Sequence, residues 1–206
     1  MAQSFVPFLD SASATRKFHT NQRSNGTDTV EAYVQLTGEP ALATYTGCAL
    51  ATVLTVINSH VVQVMAGASL RVGIRRLSLH LVTAATTTTN MQWGIFRLTT
   101  AGTGGTAYTP NPHDAADAAS GTTMMTLATS KGTEGALLRL GASLVHQTIT
   151  TVGAQTIVDL DWTRTATKAL WIPAGVANGI AFKNLTAVSP AAVYANVEFI
   201  ESAEGA

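Results

Sequence analysis

From about Leu70 to Ile200 apolar and polar residues alternate one by one, most plainly in Leu77-Ser78-Leu79-His80-Leu81 and again across Val193 to Ile200. Successive side chains of a strand point to opposite faces, so a period of two marks a sheet with one buried face. The three-and-four spacing of an amphipathic helix is nearly absent. The chain is therefore expected to be all-β. Strand candidates follow one another at 31–36, 51–57, 61–65, 70–82, 91–98, 122–129, 136–150 with a break near Gly141, 155–161, 168–172, 180–185 and 193–200. In 70–82 the apolar positions are Leu70, Val72 and Ile74, then Leu77, Leu79 and Leu81, so the parity switches across Arg75-Arg76. One extra residue that flips the buried face is what a β-bulge does, and a bulge is expected at this pair. Asn58-Ser59-His60 has turn chemistry, and Asn178-Gly179 is a tight hairpin signal. About eight to ten strands drawn from these eleven candidates, with some long connections, predict a jelly-roll-like antiparallel β-sandwich. The lack of an internal sequence repeat argues against a solenoid or propeller.

A chain of 206 residues is long enough for one such sandwich and little more. Residues 1–29 differ from the rest: Phe5, Phe8 and Phe18 stand among Ser, Thr, Asn and Gln, with a small basic set of Arg16, Lys17, His19 and Arg23 and no sustained period. The expectation is an extended N-terminal arm over 1–29 and a sandwich over 30–206. An arm with spaced aromatics and no core of its own becomes ordered by lying on something else. Its candidate partner-contact residues are Phe5, Phe8, Arg16, Lys17, Phe18 and Arg23.

Only 12% of residues are charged, about half the usual share, and the net charge is zero. Thr supplies much of the polarity, as in Thr86-Thr87-Thr88-Thr89; it favours strands and keeps a sheet face wet without charge. Such a surface suits packing against other subunits. A neutral chain without a basic stripe is not expected to bind nucleic acid. No apolar run approaches the roughly 20 residues needed to cross a bilayer, and the first residues lack a secretory signal, so a soluble protein made in a cytoplasm is expected. Cys48 is the only cysteine, which excludes an intrachain disulfide and predicts a buried structural thiol.

Few residues of the chain fall in patterns that carry chemistry. The histidines at 19, 60, 80, 113 and 146 form no pair at metal-ligand spacing. Pro112-His113-Asp114 with Asp117 gathers His and carboxylates, but a short helical turn capped by Asp114, running through Ala115–Ala119 and stopped by Gly121, explains the same residues. Asp159 and Asp161 share a strand face beside Trp162, a pattern that a glycosidase would use and that two solvent-facing carboxylates produce equally. There is no nucleophile elbow, and Gly102-Thr103-Gly104-Gly105 lacks the ending of a phosphate loop. Trp93, Trp162 and Trp171 read as packing residues. No enzyme activity, cofactor or metal is expected. Thr99–Gly121 is the longest break in the strand pattern, and loops of that length tend to be interaction surfaces.

The long apolar strand Arg71–Val82, then Trp93–Leu98 followed by Gly102-Thr103-Gly104-Gly105-Thr106, and Leu170-Trp171-Ile172-Pro173-Ala174-Gly175 followed by Asn178-Gly179-Ile180, together with the terminal Val197-Glu198-Phe199-Ile200-Glu201, carry a resemblance. From Leu70 on, about two-thirds of the chain, the sequence resembles the jelly-roll structural proteins of tailed bacteriophage virions. That group includes head decoration or cement proteins, head fibres and tail receptor-binding proteins, and it has no fixed site whose residues could be carried over. The resemblance implies a capsid decoration protein: a small homo-oligomer, a trimer above others, on the virion surface, whose partner is the major capsid protein or another virion protein. The alternative it leaves open is a tail-fibre or spike module that holds a host glycan through loop Thr99–Gly121 and an exposed Trp.

Overall fold

The computed structural model describes residues 4–9, 15–24, 29–32, 42–147, 155–163 and 170–203, the first three segments by their backbone. The chain divides into two compact units, Met1–Ala41 and Leu42–Ala206.

In the first unit β1 (Ser4–Leu9), β2 (Thr15–Ser24) and β3 (Thr29–Ala32) pair antiparallel in that order. The register sets Phe5 opposite His19, Val6 opposite Phe18 and Phe8 opposite Arg16. The segment expected as an arm over 1–29 thus has strand pairing of its own, and the unit runs on to Ala41, so the sandwich starts at Leu42 and not at residue 30. Of the candidate strand 31–36, Glu31 and Ala32 belong to β3 and close the small sheet, while 33–36 lie outside the described residues.

The second unit contains β4 (Thr44–Val53), β5 (His60–Met65), β6 (Arg71–Thr83), β7 (Thr89–Leu98), β8 (Thr106–Tyr108), β9 (Asn111–Pro112), β10 (Thr123–Thr126), β11 (Glu134–Val145), β12 (Thr156–Asp161), β13 (Leu170–Ile172), β14 (Gly179–Asn184) and β15 (Ala192–Ser202). One sheet has the order β11-β7-β14-β5-β10-β8 and the other β12-β6-β15-β4-β9, with β13 also on β6. The long strands β4-β15-β6-β12 oppose β5-β14-β7-β11. The chain changes sheet at each step between them except from β7 to β11, which are neighbours joined by a long insertion. That winding is a jelly roll. The insertion is not bare loop: its strands β8 and β10 extend the edge beyond β5, and β9 extends the edge beyond β4.

The core lies between the sheets, and the alternation accounts for it. Val72, Ile74, Leu77, Leu79 and Leu81 are all buried despite their change of parity. β15 pairs Glu198 with Arg76 but Phe199 with Ile74, which makes Arg75 the extra residue, the bulge that the Arg pair predicted. Facing them are Ile95, Ile180 and Phe182, with Trp93 stacked on Phe182 at 5.3 Å and Tyr45 on Phe199 at 5.5 Å. Each large side chain sealed in this way stabilises the fold by about 1.5–3 kcal/mol before entropy is counted.

Several boundaries fall elsewhere than expected. The strand placed at 51–57 is the tail of β4, which ends at Val53; Leu54 to Asn58 turn the chain, with Asn58 at φ 60°. Gly141 does not interrupt β11, because its missing side chain makes room for the Trp93 indole; a Cβ there would lie 2.2 Å from the ring. Asn178-Gly179 is not a hairpin: β13 pairs with β6 whereas β14 pairs with β5 and β7, so this turn carries the chain from one sheet to the other. It closes instead through the Asn178 amide donating to Gly175 O, with Gly175 at φ 117°. The thiol of Cys48 is exposed and not buried, since β4 turns Tyr45, Gly47 and Ala49 inward and leaves alternate residues outside.

Candidate interaction surface

The residues singled out for chemistry are occupied structurally. Asp159 accepts two hydrogen bonds from the Arg76 guanidinium, at 2.9 and 3.0 Å, and Asp161 accepts from the amide and hydroxyl of Thr163 at 2.8 and 2.6 Å. The ion pair and the turn explain both carboxylates. His80 bridges Thr156 and Ser78. His113 bonds Thr46 through its ring and Thr44 through its amide, while Asp114 accepts from the Ala116 amide and closes a single turn rather than a helix. Among the described residues no group of three or more His, Cys, Asp or Glu is placed to hold a metal ion.

Loop Thr99–Gly121 is built into the sandwich. Glu201 of β15, 7% exposed, accepts from the Ser120 and Thr122 hydroxyls and from the Gly121 and Thr122 amides. The Tyr45 hydroxyl donates to Ala118 O from below. Burial, with the charges of Glu201 and Asp117 nearby, raises the Tyr45 pKa and keeps that phenol a donor. A charged group holding four donors at a strand end makes the segment a fixed ledge.

The sequence signal that went unread is on β11. Trp93 lies against Gly141 and donates to Ser143 Oγ at 3.0 Å, and Val145 is fully buried, so these three face the core. Alternation then turns Leu140, Ala142 and Leu144 outward. A register shift places Leu137 opposite Phe96 on that same outer face, with Leu138 beside it. Leu137, Leu138, Leu140 and Leu144 are 46, 38, 60 and 49% exposed. Gly94 lies beneath them; a Cβ there would be 3.4 Å from both Leu137 and Leu140. Among the described residues β11 is also an edge strand, paired to β7 on one side only, with Leu144 O taken by the Gln155 side chain. A long edge with apolar side chains presents unpaired backbone donors and acceptors together with oily surface, the combination that recruits another strand.

Where β11 begins, Glu134 anchors it to a buried polar cluster. Its carboxylate takes the His60 ring at 2.8 Å and the Lys183 ammonium at 2.9 Å. Burial pushes the Glu134 pKa up, but the bonds from Lys183 and His60 outweigh it and hold the carboxyl below its usual range.

Phe5 and Phe8 fall on β1 and Arg16, Lys17, Phe18 and Arg23 on β2, while their side chains lie outside the described residues. Comparison with protein-family models, with curated proteins and with solved structures finds no match to this chain.

Proposed function

We propose that this chain is a structural subunit of a larger assembly, a decoration or cement protein on a bacteriophage capsid, and that copies join through β11. The observation that carries the reading is the β11 edge, unpartnered among the described residues, with its four exposed leucines. The occupant that fits is a second copy of the chain: Arg139, the one charged residue between Leu137 and Leu144, pairs with Ile95 on the other face, so the leucine stripe offers little to an ionic partner, whereas a copy brings an equal row of leucines and a second strand edge. Half-burying eight leucines across a pair is worth about 6–12 kcal/mol. Association costs about 4–15 kcal/mol. The balance makes the pairing weak for free molecules and firm where a lattice holds copies close together, which is how a cement protein works. Around a two-fold axis β11 meets itself and gives a dimer; a trimer requires it to meet a different edge. The resemblance of the sequence to virion jelly rolls supplies the capsid as the surface on which this happens.

The test is the mass of the purified protein over a range of concentrations, with co-sedimentation on phage capsids that lack it. A concentration-dependent discrete oligomer that saturates the shell at a lattice-defined copy number supports the proposal. A permanent monomer that ignores capsids defeats it. A receptor-binding reading has one observation of its own, Tyr194, 41% exposed on the outer face of β15 opposite His80. Retention on host surface glycan, lost in Tyr194→Ala, would move the assignment there.

A further inference from the structure

His60 is fully buried at the start of β5, and its two ring nitrogens face different elements. Nε2 lies 2.8 Å from Glu134 of β11, and Nδ1 lies 2.7 Å from the side-chain nitrogen of Gln63. Gln63 is itself buried, and its amide oxygen accepts from the backbone N–H of Gly102 at 2.9 Å. A backbone N–H only donates, so the amide orientation is settled: oxygen to Gly102, NH2 to the imidazole. Nδ1 must then be the acceptor, and the ring is neutral with its proton on Nε2, donated to Glu134. Gly102 fits closely, since a Cβ there would be 2.5 Å from the Gln63 nitrogen and 2.8 Å from Ser130 O. The adjoining Thr103 exchanges two backbone bonds with Ser130.

A second proton on His60 has one place to go, Nδ1, where it meets the NH2 of Gln63. Two donors then face each other. Turning the amide over to offer its oxygen to the ring would set its NH2 against the Gly102 N–H instead. A charge-assisted bond is the stronger of the two, so the amide oxygen goes to the imidazolium and the bond given up is the one to Gly102, while the bond to Glu134 becomes an ion pair and tightens. We infer that His60 is a proton-operated latch, holding loop 99–105 against β5 when neutral and releasing it at Gly102 when protonated, with β11 staying anchored at Glu134.

The charged groups facing the ring agree with this. Glu134 from β11 draws a proton to it, but burial is the larger effect, and Lys131 from the β10–β11 connection and Lys183 from β14 add to it, so the His60 pKa lies below its usual value. The folded protein therefore binds this proton more weakly than the unfolded chain. The stability that His60 contributes is complete above about pH 6.5 and is lost as the pH falls from there towards the lowered folded value.

The experiment is amide hydrogen exchange on the full chain between about pH 7.5 and about pH 5, corrected for intrinsic rates, with the core amide of Val197 as reference. Protection at Gly102 should fall by up to about tenfold per pH unit once His60 titrates, while Val197 holds. In Gln63→Glu the carboxylate can accept from both Gly102 and the imidazolium, so protection at Gly102 should persist at low pH. Protection that is independent of pH in the parent, or lost equally in the variant, would overturn the latch. Should Gln63→Glu fail to fold, nitrogen NMR of the parent imidazole decides: a proton on Nε2 at neutral pH is required, and one on Nδ1 refutes the arrangement.

Discussion

In β15 the apolar residues Val193, Ala195, Val197 and Phe199 are sealed between β4 and β6 and under the opposite sheet, whereas in β11 Leu137, Leu140 and Leu144 stand on the outer face of an edge. Both strands are long and rich in apolar residues. Their positions in the sheets differ, and with them the work the side chains can do. β15 has strands on both sides and a core against its inner face, so its alternation is used up within the molecule. β11 has only Gly141, Ser143 and Val145 turned inward near its end, where Trp93 fills the space, and its larger side chains are left for something outside. Apolar surface that stabilises no internal contact is a cost to solubility unless a partner covers it.

Phe199→Ala should break the β15 side of this contrast hardest. The ring is fully buried and stacked on Tyr45, and removing it should cost about 3–5 kcal/mol, read as a lower denaturant midpoint with little change in slope. Gly141→Ala probes the one place where β11 belongs to the core. The new methyl collides with Trp93, and the loss should be about 1–3 kcal/mol, accompanied by a change in indole fluorescence; full stability would mean that Trp93 moves aside freely. Leu140→Thr with Leu144→Thr should move stability least, by no more than about 0.5 kcal/mol, because neither side chain is buried in the monomer. Their effect belongs in the mass of the particle: the double variant should remain monomeric at concentrations where the parent associates. A large drop in its melting temperature would show that these leucines already serve the monomer.

The two strands also differ in how far they could be read beforehand. The period-two pattern of β15 and the parity switch at Arg75-Arg76 were legible because sheet geometry acts residue by residue. The exposure of the β11 leucines was not, because an apolar run looks alike whether it faces a core or a partner. Glycine weakens strands in general, so Gly141 reads as a break, and only the indole packed on it explains its presence. The polar cluster was hidden for another reason. His60, Gln63, Gly102, Glu134 and Lys183 are spread over 124 positions of the chain, numbers 60 to 183, and no local spacing links them. His60 looked like part of a turn because its neighbours Asn58 and Ser59 are.

The order of residues by itself determined that the chain is all-β, where most strands lie and which face of each is oily, since those properties follow from the backbone repeat and the chemistry of single side chains. The tertiary structure alone decided which strand is an edge and which is central, that Glu201 ties down the long loop, and that a histidine is buried between a glutamate and a glutamine. Those outcomes depend on contacts between residues far apart in the chain, made only when the two sheets close on each other.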